Sequence, residues 1–206
     1  MNSFETDLKR GIFSIPFGVG MVLELIILFT QGFEADMYKV SVPVIASLPY
    51  SMAWLMDYQS GYIKFYVSRV GISKYIFGKI FACGISGGAL GTMAVWIYKV
   101  ISKNSDINIQ LIFMSFALWA IVAATLAAWS NSRYIAYGGG FVIYYILVIL
   151  HQRYFGQVYC LDPYEWFNPK QSWMFDTQGI MILIGGLMII FVCIYYLLVR
   201  RCIENV

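Results

Sequence analysis

Residues 57–79 read DYQSGYIKFYVSRVGISKYIFGK, a polar, basic, glycine-containing interval between two long apolar runs. Its charge is lopsided: Lys64, Arg69, Lys74 and Lys79 stand against the single acid Asp57. The stretches on either side decide what such an interval is for. The chain is 60% apolar and 12% charged, with a mean hydropathy of +0.71, whereas a soluble domain carries about 25% charged residues. Lipid, not water, therefore covers much of the outside. Six apolar runs approach span length, at about 13–31, 40–56, 76–98, 109–129, 135–151 and 178–199. A helix of about 20 residues crosses the ~30 Å hydrocarbon layer and satisfies its own backbone polar groups there. No period-two alternation with polar inward positions is present, which argues against a β-barrel. The expected fold class is an all-α polytopic membrane protein, with six transmembrane helices in one domain over 1–206.

Basic residues flanking the runs orient such a protein, because cytoplasmic loops retain them. With the N-terminus inside, the inner segments hold Lys9, Arg10, Lys64, Arg69, Lys74, Lys79, Arg133, Arg200 and Arg201. The outer segments hold Lys39, Lys99, Lys103, Arg153 and Lys170, with most of the acids. The balance is +5 inside and −1 outside, and Glu24 within the first run brings the total to +3. Both termini are expected in the cytoplasm, in the plasma membrane of a bacterium. The basicity follows from topology and asks for no nucleic-acid partner. No small-residue cleavage site follows the first run, so it reads as an uncleaved span rather than a signal peptide. Cys83 and Cys193 fall within runs, Cys202 inside and Cys160 outside, which offers no like-sided pair for a disulfide. No metal-ligand spacing occurs.

The N-terminal stretch 1–12 reads as an amphipathic helix in the membrane interface. Asn2 or Ser3 caps it, Glu5 and Asp7 sit near its start, and Phe4, Leu8, Ile12 and Ile15 share a face. Pro43 and Pro49 predict a kink or broken turn in the second run. In the third run Gly84 and Gly88, and Gly87 and Gly91, recur at the spacing that lets helices approach closely. Gly138-Gly139-Gly140 and Gly185-Gly186 read as packing or hinge positions. Residues 152–177, QRYFGQVYCLDPYEWFNPKQSWMFDT, are long for a connection and strongly aromatic. They are expected to fold back as an outer re-entrant segment before the last helix, either as an aromatic belt at the headgroups or as an outer gate formed by Tyr164, Trp166, Phe167 and Trp173.

An ionisable residue inside a span is a functional candidate. Glu24 is the clear case, either on a substrate path or as a structural hydrogen-bonding group. Catalytic constellations are missing: the one histidine, His151, has no nucleophile at motif spacing. A phosphate-binding loop needs four residues between its glycines and Ser or Thr after the lysine. Gly71 and Gly78 are six apart in that sense, and Ile80 follows Lys79, so the chain carries no such ATP site.

Asp57, Ser60, Gly61, Ile63, Lys64, Phe65, Ser68, Arg69, Gly78 and Lys79 together form a pattern that resembles the permease subunits of ABC transporters, in the type-2 exporter (ABC-2-like) family. The resemblance implies that 58–70 is a coupling helix docked in a groove of a cytoplasmic ABC ATPase subunit. Asp57, Tyr58, Ser60, Gly61, Tyr62, Ile63, Lys64, Phe65, Tyr66 and Arg69 would then be the coupling residues. It further implies a second permease, identical or paralogous, and places ATP and Mg on the partner ATPase, with no cofactor in this chain. The implied function is outward movement of a hydrophobic or amphipathic substrate: a peptide, a lipid-linked molecule or a drug. The residues suit that role. Lys64, Arg69 and Lys74 can meet acids on a partner or lipid headgroups, and Tyr62, Phe65 and Tyr66 can fill a groove as anchors. The alternatives are an ATP-independent protein, such as a stand-alone bacteriocin-immunity protein, or a secondary transporter that uses Glu24.

Overall fold

The computed structural model describes residues 3–102, 107–156, 158–169 and 177–204, apart from the side chains of Ser3, Lys64 and Thr177. Trp173, with residue 157 and the rest of 170–176 in the segment expected to re-enter, therefore lies outside the described residues, as does the side chain of Lys64. All regular structure described is helical: α1 (Ser3–Ile12), α2 (Ile15–Gln31), α3 (Asp36–Ser47), α4 (Ala53–Gln59), α5 (Tyr62–Val70), α6 (Ile72–Ser102), α7 (Ile109–Ser130), α8 (Arg133–Arg153), a 3-10 turn at Tyr159–Leu161, and α9 (Thr177–Glu204). Four helices, α6 to α9, are long and apolar enough to cross a membrane, and α1 with α2 makes a fifth candidate as a pair bent by 45°.

The bend has a local cause. Ser14 caps α2, accepting a hydrogen bond from the Phe17 amide at 3.2 Å and donating one to the Gly11 carbonyl at 3.0 Å. Pro16, in the first turn of α2, needs no intrahelical donor there. On α1 the packed side differs from the apolar row. Phe4 is 39% exposed, whereas Asp7 is 2% exposed and Gly11 is buried. A Cβ on Gly11 would stand 3.0 Å from Cβ of Ser86, so the helix lies close along α6. Glu5 and Lys9 pair at 2.7 Å on the open side, and the Lys9 ammonium draws the Glu5 carboxyl below its ordinary pKa.

The second apolar run is broken at Pro49, whereas Pro43 is accommodated inside α3. α3 ends at Ser47, residues 48–52 form turns around Pro49, and α4 resumes at Ala53. Contacts between the elements sort the chain into two ends. At the α1 end, Arg133 donates to Gln59 at 2.9 Å, and the Ser73 and Tyr196 hydroxyls meet at 3.2 Å. At the far end, Phe29 packs on Tyr98, Lys99 donates to the Ile107 carbonyl at 3.1 Å, and Tyr38 packs on Phe167.

α7 is the most enclosed helix and packs against α3, α6, α8 and α9. Its contact with α6 is made possible by the glycine row. A Cβ at Gly87 would meet Ala120 Cβ at 2.5 Å and the Ala46 carbonyl at 3.1 Å. At Gly91 it would stand 2.3 Å from the Phe116 ring, and at Gly88 2.6 Å from the Phe113 ring. Phe116 and Ala120 have no exposed surface. Not every glycine packs: Gly138 and Gly186 have nothing within 4 Å of a Cβ position. A two-residue connection, Asn131 and Ser132, turns α7 into α8, with Asn131 in the left-handed region at φ 53°. Gly91→Val is expected to destabilise the protein by roughly 1–3 kcal/mol, seen as an earlier thermal unfolding transition in detergent. Gly138→Ala should leave that transition unchanged or raise it, and equal melting of the two variants would count against this packing.

Candidate functional site

The interval 57–79 folds as a helical hairpin capping the α1 end. α4 stops at Ser60, whose hydroxyl donates to the Asp57 carbonyl at 3.1 Å. Gly61 follows in the left-handed conformation, φ 71°, which only glycine adopts without cost. α5 then runs from Tyr62 to Val70 and is ended in turn by Gly71, φ 87°. The helix expected over 58–70 is thus Tyr62–Val70, with Tyr58 on the preceding helix; the break falls where Gly61 takes the left-handed conformation.

The hairpin has two sides. Facing inward, Ile63 is buried, Tyr58 stacks on Trp54 at 5.2 Å, and the Tyr66 ring meets Tyr75 edge-on at 5.6 Å. Facing outward, Ser60, Gly61 and Arg69 are exposed, and so are Tyr62 and, at 71%, Phe65. Tyr62 and Phe65 are three residues apart, hence on one helical face. With Arg10, Asp57, Ser60 and Gly61 they line an open pocket of about 390 Å³. Of the residues that the family pattern marks for docking, Tyr66 therefore belongs to the inner packing, and Tyr62 and Phe65 to the free surface.

Behind the hairpin lies a buried ionic cluster. Lys79, about 10 Å along α6 from Ile72, is 4% exposed. Its ammonium stands 3.1 Å from Asp7 Oδ1, 2.9 Å from Asp57 Oδ2 and 3.0 Å from the Tyr50 hydroxyl, to which it donates. These three partners exhaust its three protons. The Tyr50 hydroxyl donates to Asp7 Oδ1 at 2.6 Å, and the Tyr75 hydroxyl to Asp57 Oδ2 at 3.0 Å. The cation also sits over both tyrosine rings, at 5.2 and 5.7 Å. One cation thus joins α1, the end of α4, the 48–52 break and α6. Sequence reading singled out Asp57 and matched Lys79 but missed Asp7, Tyr50 and Tyr75 as partners. One signal was present: Asp7 and Gly11 are one turn apart, an acid and a small residue on the same face.

A second polar group lies toward the far end. Glu24 of α2 has no exposed surface. Its carboxyl interacts electrostatically with the buried Tyr38 hydroxyl of α3, and neither oxygen makes a hydrogen bond among the described residues. Three of the residues expected at an outer gate lie close by. Trp166 and Phe167 are buried, and Tyr164 is partly so. The Ser115 hydroxyl, about 9 Å along α7 from Ile109, donates to the Trp166 carbonyl at 3.0 Å. The Trp166 indole donates to the Cys160 carbonyl at 2.9 Å, and His151 Nδ1 stands 3.6 Å from Asp162 Oδ2. Among the described residues no cluster of His, Cys, Asp and Glu is arranged to hold a metal.

Removing one member of the buried cluster leaves charges unmatched. Lys79→Met places Asp7 and Asp57 in the bundle without their cation, with an expected loss of about 3–5 kcal/mol. Adding Asp7→Asn should recover part of that loss, measured by detergent unfolding of the single and double variants; strictly additive losses would show that the residues do not act together. Comparison with protein-family models, curated proteins and solved structures gives no match for this chain.

Proposed function

We propose that this chain is the membrane-spanning permease subunit of an ATP-driven exporter of the ABC-2-like kind, working in a bacterial plasma membrane with separate ATPase subunits and a second permease. The observation that carries the reading is the hairpin of α4 and α5. It offers Tyr62 and Phe65 to a partner on one side and is bound through Asp57 and Lys79 to α1 and α6 on the other. A push on α5 therefore reaches α6 and the α3–α4 segment through an ionic contact rather than through soft loops. The chain itself moves the hydrophobic or amphipathic substrate, while ATP and Mg act on the partner.

Six crossings are part of the proposal. Support comes from the contacts at the two ends: α3 starts beside Phe167 and α4 ends beside Arg133, so α3 and α4 together join the far end to the α1 end. The tether of Ser115 to Trp166 supports a re-entrant course for the segment after α8. In this arrangement both termini are cytoplasmic. A second reading, a transporter driven through Glu24 without ATP, is favoured by the burial of that acid and its unpartnered oxygens.

The two readings separate experimentally. An ATPase subunit is expected to co-purify with the tagged chain, and Tyr62→Ala with Phe65→Ala to weaken that association roughly thirtyfold or more. Undiminished association of the double variant would sink the docking assignment. Transport abolished by Glu24→Gln, with no ATP requirement in the wild type, would favour the second reading.

A further inference from the structure

We propose that the buried layer beneath residues 164–167 is a binding site for a hydrophobic cation, with Glu24 as its counter-ion and Tyr38, Trp119 and Tyr144 at its walls. This names a substrate class for the proposed permease. It rests on that reading for the direction of movement, though not for binding.

Burial without partners is what marks the layer. Besides both Glu24 oxygens, the hydroxyls of Tyr38 and Tyr144 and the indole nitrogen of Trp119 are buried with no hydrogen bond among the described residues. The remaining atoms of this kind belong to Asp7 and Trp54 at the opposite end. Buried polar groups are ordinarily satisfied, so a concentration of unsatisfied ones in one layer points to something that visits it. The carboxyl among them sets the charge of the visitor: buried without a counter-ion it keeps its proton, a cation arriving beside it stabilises the ionised form, and an anion does not.

Ring contacts make the layer continuous. Phe167 packs on Tyr38 at 6.2 Å, Trp166 stacks on Trp119 at 6.2 Å, and Tyr164 meets Tyr144 edge-on at 5.9 Å. Trp119 and Tyr144 also touch, at 5.4 Å. Aromatic faces attract cations, and one already does so here: the Lys39 ammonium stands 5.5 Å from the Tyr164 ring centre. Asp36 and Asp162 lie within electrostatic reach of Tyr144 and Tyr164 and favour the approach of positive charge. Residues 164–167 fill the layer with their own rings. They stand in for the ligand, and the segment lifts to admit it, giving up the hydrogen bond from Ser115 to the Trp166 carbonyl.

The test uses the purified full chain in lipid nanodiscs without any ATPase. Tetraphenylphosphonium is the probe, neutral triphenylphosphine oxide the control, and quenching of tryptophan fluorescence the readout. The wild type is expected to bind the phosphonium saturably and roughly tenfold or more tightly than the control. Glu24→Gln should lose that preference while keeping the wild-type thermal transition. Ser115→Ala, which frees the plug, should strengthen phosphonium binding. The proposal is overturned if the wild type binds both probes alike, or if folded Glu24→Gln binds the phosphonium as tightly as the wild type. Should Glu24→Gln fail to fold, the wild-type preference decides alone. Absence of phosphonium binding leaves ATPase docking untouched, and failure of an ATPase to co-purify leaves this site standing.

Discussion

One ammonium group, that of Lys79, is shared by two carboxylates from two different helices, α1 and α4. Away from water the attraction is strong and the penalty for an unmatched charge is large, so none of the three can leave without the others responding. That constraint explains the odd face on which α1 packs: the helix turns Asp7, not its apolar row, toward α6. It also holds the last turn of α4 against α6, because Asp57 must reach the same nitrogen. The position of α5, and with it the exposed pair Tyr62 and Phe65, follows from that anchorage and from the left-handed turn at Gly61.

Away from this cluster the bundle is held by shape. The glycine row of α6 lets Phe113, Phe116 and Ala120 of α7 come closer than any side chain would permit. In lipid, where apolar groups gain little from meeting one another, such close contact is a main source of helix association. The α6–α7 face is therefore tightly packed, while buried polar groups gather in two clusters: ion-paired around Lys79, with Asp7 Oδ2 and Trp54 Nε1 left over, and without hydrogen bonds around Glu24.

Much of this was legible from residues alone, where one residue type has one physical use. Gly84, Gly87, Gly88 and Gly91 predicted close packing and Pro43 and Pro49 a kink or break; the glycines are seen at helix contacts and the break falls around Pro49, while Pro43 lies inside α3. The N-terminal helix was legible in extent but not in orientation, since periodicity marks an apolar face without showing whether a single acid can outweigh it. Lys79 was hidden by a sufficient explanation: a basic residue at the end of a run already satisfies the rule for orientation. Tyr38, Trp119 and Tyr144 were silent because an aromatic within an apolar run looks like any other core residue. Only their orphaned hydroxyls and indole set them apart.

The break at 48–52 gives the bundle unequal stiffness. α6 is a single helix of 31 residues, seated in α7 along its glycines. α3 and α4 cover a similar distance in two pieces with a joint between them, and Tyr50 in that joint is bonded to the same charge cluster that anchors the hairpin. A displacement arriving at the α1 end is therefore resisted by one member and taken up by the other. The jointed member begins beside Glu24 and Phe167, so the break lies on the line that joins the ionic base to the unsatisfied acid.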